Sequence, residues 1–144
     1  MMTYLSLLRN PEFARTKIKC AILSGAISNL KQYVESQPEK LNSYKEFFSG
    51  KNFEEELTKR TIINSVNQLP KIPFLLMHGG NDKTVSPLQT IEMAKKMYEL
   101  KIPHRLVIFE GGDHFLKNHR KEVDSLRRFW FDKYLKQSYK LLLP

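Results

Sequence analysis

Pro73-Phe74-Leu75-Leu76-Met77-His78-Gly79-Gly80-Asn81-Asp82 and, further on, Arg105-Leu106-Val107-Ile108-Phe109-Glu110-Gly111-Gly112-Asp113-His114 decide how this chain folds. Each is a short unbroken apolar run closed by glycines, the pattern of a strand buried on both faces in a parallel sheet. Each run ends in a loop with one chemically capable side chain, Asp82 in the first and His114 in the second. Open α/β sheets gather their chemistry at the carboxyl ends of the strands, so these two side chains are expected to meet in one crevice.

The stretch between the two runs reads as a helix. Ser86 is a candidate cap accepting from the amide of Gln89, Pro87 suits the first helical position, and Gln89 can reach back as a capping box. Leu88, Ile91, Ala94 and Tyr98 recur at helical spacing as the stripe expected to cover the sheet, with Lys95, Lys96 and Glu99 turned away. Lys101-Ile102-Pro103 ends it. Strand, helix and strand make a βαβ unit, whose right-handed crossover puts both loops on one side.

These segments resemble the C-terminal part of an α/β-hydrolase catalytic domain, in particular that of the prolyl oligopeptidase-like (S9) serine peptidases and their esterase relatives. The family's acid follows a strand in a segment like His-Gly-x-x-Asp-x-x-Val, matched by His78, Gly79, Asp82 and Val85. Its histidine lies in a glycine-rich turn after the next strand, matched by Gly111, Gly112 and His114. A weaker likeness links Arg60-Thr61 to an Arg-Ser pair of some members. The resemblance implies a partial α/β-hydrolase fold, its last three parallel strands flanked by helices in a three-layer α/β/α arrangement. It also implies Asp82 as the orienting acid and His114 as the general base of a triad, in the family's order of nucleophile, acid, histidine. The residue types suit that chemistry. An imidazole exchanges protons near neutral pH, and a carboxylate on its other nitrogen fixes its tautomer and stabilises the imidazolium.

The third member is not in the chain, because no serine lies in Gly-x-Ser-x-Gly. The opening Met1-Met2-Thr3-Tyr4-Leu5-Ser6-Leu7-Leu8-Arg9 has apolar residues on most sides and no capping residue ahead, like a helix entered partway. In the resembling family this helix opens directly from the nucleophile turn. Residues 1–144 are therefore expected to be the C-terminal portion of one catalytic domain, lacking the nucleophile and the earlier strands, and to be inactive alone. Asn10-Pro11-Glu12-Phe13 should stop that helix, and Ile18 to Ser24 should form the strand beside the missing one, closed by Gly25. Ser24 lacks the first glycine of the motif and reads as a structural hydroxyl.

Between residues 26 and 70 the signals are weaker. A helix is expected from Pro38 to Phe48 on the spacing of Leu41, Tyr44, Phe47 and Phe48, with Gly50 as its stop. A short one with acids in its first turn is expected over Glu54–Arg60, and another over Arg60–Leu69. In the resembling family this region lies above the crevice and shapes the substrate entrance. A long closing helix is expected over 117–137, with Val123, Leu126, Trp130 and Tyr134 on one face, then a loosely docked tail from Lys140 to Pro144.

His78 is expected to brace the acid loop, and His104 and His119 to be exposed. Asp113, His114 and His119 have the wrong spacing for a metal site, so neither metal nor cofactor is expected. A formal charge of +9 raises a second class of function, a nucleic-acid-binding module using the basic final helix with Trp130 and Phe131. The helical spacing of those aromatics with Val123 and Leu126 reads instead as core, so no specific nucleic acid is expected. No apolar run approaches a membrane span, and the single cysteine, Cys20 on the expected buried strand, favours a reducing, cytoplasmic setting, although a leader could lie upstream. The substrate class is a peptide or ester. A remnant or pseudoenzyme with a binding role is the alternative that shares the same fold and residues.

Overall fold

The computed structural model describes residues 1–136. Strands β1 (Ala21–Ser24), β2 (Phe74–Gly79) and β3 (His104–Phe109) form a parallel sheet in the order β1-β2-β3. Leu76 pairs with Leu23 on one side and Leu106 on the other. Helices α1 (Met2–Arg9) and α2 (Pro11–Lys17) precede β1, while α3 (Leu30–Glu35), α4 (Pro38–Phe47) and α5 (Phe53–Lys59) lie between β1 and β2. Helix α6 (Leu88–Glu99) makes the crossover to β3, and α7 (Arg120–Phe131) follows it.

Alternation along the central strand builds the layers, since successive side chains of a strand point to opposite faces. Phe74 and Leu76 join Tyr4, Leu5, Leu7, Met93 and Met97 in a core with α1 and α6 on one face. Leu75 and Met77 join Phe109, Leu116, Val123 and Trp130 in a core with α7 on the other. All six residues of β2 are buried. Complete burial of a Leu, Phe or Met side chain contributes about 1.5–3 kcal/mol, so this strand anchors both layers. A third cluster, Leu30, Tyr33, Val34, Phe48, Leu57 and Val85, joins α3 and α5 to the loop after β2.

Several local expectations give way to tertiary structure. Strand β3 is not buried on both faces, since it is an edge strand with Arg105 and Ile108 exposed. Strand β1 spans only four residues, which leaves Cys20 before it and partly exposed. Pro11 does not merely stop α1; with φ preset for a helix it starts α2. The stripe on α6 is displaced: Leu88, Ile91 and Tyr98 are exposed, while Gln89, Thr90, Met93, Ala94 and Met97 are buried. Ser86 and Gln89 form no capping box, because Gln89 Oε1 accepts instead from the amides of Ser28 and Asn29, at 3.0 Å each. Lys96 does not turn away either, since its Nζ donates to the Ile63 carbonyl at 2.8 Å.

In the middle region α4 and α5 lie where expected, although Phe47 is exposed and the buried ring is Phe48. Arg60–Leu69 is not a helix but two 3₁₀ turns, Ile62–Asn64 and Val66–Gln68, and α3 is an additional helix capped by Asn29. The closing segment comprises a 3₁₀ turn, α7 and a π-helical turn over Asp132–Lys136. Val123 and Trp130 are buried there, with Leu126 and Tyr134 packed alongside. The expected tail from Lys140 and the last residue of the long helix lie outside the described residues. None of the described helices is long and apolar enough to cross a membrane.

Candidate active site

Two loops meet above the carboxyl ends of β2 and β3 because glycines let their backbones touch. A Cβ on Gly79 would stand 2.3 Å from the Gly112 carbonyl oxygen and 2.4 Å from that of Asp113, so only glycine fits there. The contact is held by Gly80 N donating to Phe109 O at 2.8 Å and Asn81 N to Gly112 O at 2.9 Å. From the β1 side Gly25, at φ +55°, brings bare backbone under the His114 ring, where a Cβ would lie 3.1 Å from Cε1. Three strand ends thus converge on one imidazole. Beyond it the chain passes through Leu116 at φ +53°, a conformation rare for a bulky residue, with its side chain buried.

Asp82 lies in an Asx turn. Its Oδ1 accepts from the amides of Thr84 at 2.8 Å and Val85 at 2.9 Å, and its Oδ2 accepts from His114 Nδ1 at 2.8 Å. Burial alone would push this carboxyl up. The Val85 amide, the His114 ring and the Thr84 amide, with the nearby imidazole charge, outweigh that and hold it below the usual carboxylate range. The ionised acid therefore faces Nδ1–H, and Nε2 is the His114 nitrogen left to exchange a proton. The ring is about a quarter exposed and lines a cavity of about 260 Å³ with Ser24, Gly25, Ile27, Tyr33 and Thr84. The pair can act as a base and its orienter; it can neither attack a carbonyl nor stabilise an oxyanion.

The structure thus brings Asp82 and His114 together, the two residues singled out in sequence. Ser24 lines the same cavity at the end of β1 and makes no hydrogen bond to His114. His78 braces the acid loop from below: it is fully buried, with Nε2 2.9 Å from the Val85 carbonyl and 3.0 Å from Asp82 Oδ2. His104 and His119 are half-buried, not exposed. His104 Nδ1 donates to the Ile102 carbonyl, and His119 Nε2 donates to that of Glu110 while its ring packs on Phe109. No group of three metal-ligating side chains occurs among the described residues. Two supports had no local sequence signal, because their partners are remote in the chain. Gln37 Nε2 donates to the Thr84 carbonyl, and Thr90 Oγ1 lies 2.5 Å from His78 Nδ1.

Comparison with known families agrees with this architecture. The sequence profile of the prolyl oligopeptidase family matches residues 2–138. The chain belongs to the prolyl oligopeptidase family. No curated protein matches it by sequence. Among solved structures it is similar to a puromycin-hydrolyzing peptidase of Mycobacterium tuberculosis, with 27% identity and a TM-score of 0.57, covering 70% of this chain and 16% of that one. The acylaminoacyl peptidase of Pyrococcus horikoshii shares its fold at 22% identity and a TM-score of 0.72, covering 86% of this chain and 22% of that one. Dipeptidyl peptidase 4 of Porphyromonas gingivalis does so at 14% identity and 0.71, covering 92% and 18%. The chain of this family member spans between 16% and 22% of the length of these three structures.

Proposed function

We propose that residues 1–144 are the C-terminal portion of one α/β-hydrolase catalytic domain and supply the acid and base of a serine hydrolase that cleaves peptide or ester bonds. The observation that carries this reading is the 2.8 Å bond from His114 Nδ1 to Asp82 Oδ2, in a carboxylate whose other oxygen is filled by two amides. In this reading His114 Nε2 takes the proton of a serine hydroxyl as its oxygen bonds to the substrate carbonyl carbon. Nε2 then returns that proton to the departing amine or alcohol, leaving an acyl-enzyme. Water repeats the cycle and releases the acid. Asp82 holds the ring in place and offsets the imidazolium charge. The serine and the backbone donors for the oxyanion belong to sequence ahead of Met1.

The tryptophan of α7 has a structural role in this reading, and the basic side chains form a solvated face. Trp130 is core and packs on Tyr134, but Phe131, expected in the core beside it, is exposed; Arg127 faces Asp124, and Lys136 in the turn after α7 faces Asp132. The test is to read the source DNA upstream of the Met1 codon and express the chain with any in-frame segment found there. An in-frame Gly-x-Ser-x-Gly and hydrolysis of a p-nitrophenyl ester or a peptide p-nitroanilide are expected. Asp82→Asn should lower kcat by roughly 10⁴-fold, the loss typical when a triad acid no longer enforces the tautomer. Residues 1–144 alone should show negligible hydrolysis. Fluorophosphonate labelling of that chain at one serine, Ser24 included, with loss of label in His114→Ala, would overturn the assignment of the nucleophile to upstream sequence.

A further inference from the structure

The neighbours of His78 dictate where its proton sits. Nε2 faces two oxygens, the Val85 carbonyl at 2.9 Å and Asp82 Oδ2 at 3.0 Å, and a carbonyl and an ionised carboxylate only accept. Nε2 must therefore carry hydrogen. Among the described residues Nδ1 faces only the Thr90 hydroxyl, at 2.5 Å, a group able to donate. Thr90 is itself buried, in the first turn of α6, so no exposed surface offers that hydroxyl an easy alternative. The reverse tautomer would turn a lone pair toward two buried oxygens, an arrangement that burial makes costly.

We propose that Thr90 and His78 are positioning residues for Asp82. The Thr90 hydroxyl donates to His78 Nδ1 and fixes the neutral Nε2–H tautomer, and that N–H donates to Val85 O and so holds the ring edge 3.0 Å from Asp82 Oδ2. Oδ2 is also the oxygen that receives His114 Nδ1–H. One carboxylate oxygen is thus clasped between two imidazoles, and the other is filled by the Thr84 and Val85 amides. Three donors, with the His78 ring set against Oδ2, restrict the carboxylate's orientation and favour its charged form in a buried place. The same ring holds the carbonyl of Val85, the residue whose own N–H caps Oδ1. This inference deepens the acid–base reading of Asp82 and His114 and rests on it. Its test reads ring protons in the folded chain and needs no hydrolysis, so the two can fail separately.

The experiment is nitrogen-15 NMR of the histidine rings in the 144-residue chain at neutral pH. His78 is expected with Nε2 in the protonated range, Nδ1 in the unprotonated range, and a slowly exchanging Nε2–H. Thr90→Val keeps the side-chain shape and removes the donor. It should give a mixture of His78 tautomers, loss of the Nε2–H signal, and a shift of the His114 Nδ1–H resonance, all restored in Thr90→Ser. If Thr90 only fills space, the valine leaves the ring nitrogens unchanged, and the proposal is overturned. A wild-type His78 that is protonated on Nδ1, or on both nitrogens, overturns it without any variant.

Discussion

Replacing Gly79 by alanine tests whether interlocked backbones, rather than the side chains themselves, bring acid and histidine together. The new Cβ would lie 2.3 Å from Gly112 O, 2.4 Å from Asp113 O and 2.6 Å from Gly112 C. A carbon approaches a carbonyl oxygen to about 3.3 Å at closest in ordinary packing, so the two loops must separate by about 1 Å. Backbone atoms have no rotamer to escape into, which places the penalty at the upper end of overpacking, about 3 kcal/mol. For a domain of this size that corresponds to a fall in Tm of about 10 °C. The same separation would stretch the 2.8 Å bond between His114 and Asp82 beyond hydrogen-bonding range. Gly111→Ala is the control: Gly111 has φ +65° but nothing within 4 Å of its would-be Cβ, so it loses only about 1–2 kcal/mol to backbone strain. Thermal unfolding by circular dichroism and the His114 Nδ1–H proton resonance read the two effects. If Gly79→Ala melts within a degree or two of Gly111→Ala and keeps the resonance, the steric argument is wrong.

Two further outcomes follow from the same geometry. Asp82 holds its proton less tightly folded than unfolded, so near pH 4 the unfolded chain binds more protons and stability falls as pH drops through the folded value. A Tm series from pH 6 to pH 3 should therefore slope less steeply in Asp82→Asn than in wild type, and equal slopes would show that Asp82 does not contribute. Gln89→Ala strips the acceptor from the amides of Ser28 and Asn29, the former in a buried residue, and should cost about 1–3 kcal/mol in urea unfolding with an unchanged m-value.

How much was readable in sequence depended on how local the cause was. The βαβ core and the Asp82 and His114 loops announced themselves, because apolar runs, glycines and strand-end side chains are contiguous signals. The working face of α6 did not. Leu88, Ile91 and Tyr98 are as apolar as Met93 and Met97, and only the burial of Gln89 and Thr90 decides the rotation. Their partners, Ser28 and Asn29 for one and His78 for the other, are fixed by tertiary contact. The same holds for Gln37 on the Thr84 carbonyl. Strand β3 misled for another reason: its residues have the composition of a buried strand, but an edge position leaves Arg105 and Ile108 exposed. Residues 26–70 had short helices and 3₁₀ turns whose packing stripes are too brief for periodicity to register.

The two connections of this sheet differ in length by roughly twofold, with α3, α4, α5 and two 3₁₀ turns between β1 and β2 but only α6 between β2 and β3. Loop-closure entropy grows with the logarithm of length, so a doubling costs only about 0.6 kcal/mol. The helical segment between β1 and β2 can therefore lengthen at little entropic penalty, provided Gln37, Ser28 and Asn29 keep their grips on the acid loop and on α6. The compact crossover has less latitude, because the two strands it joins are locked together at their carboxyl ends by backbone contact between Gly79 and Gly112. One connection is free to vary in length, and the other is bound to one geometry.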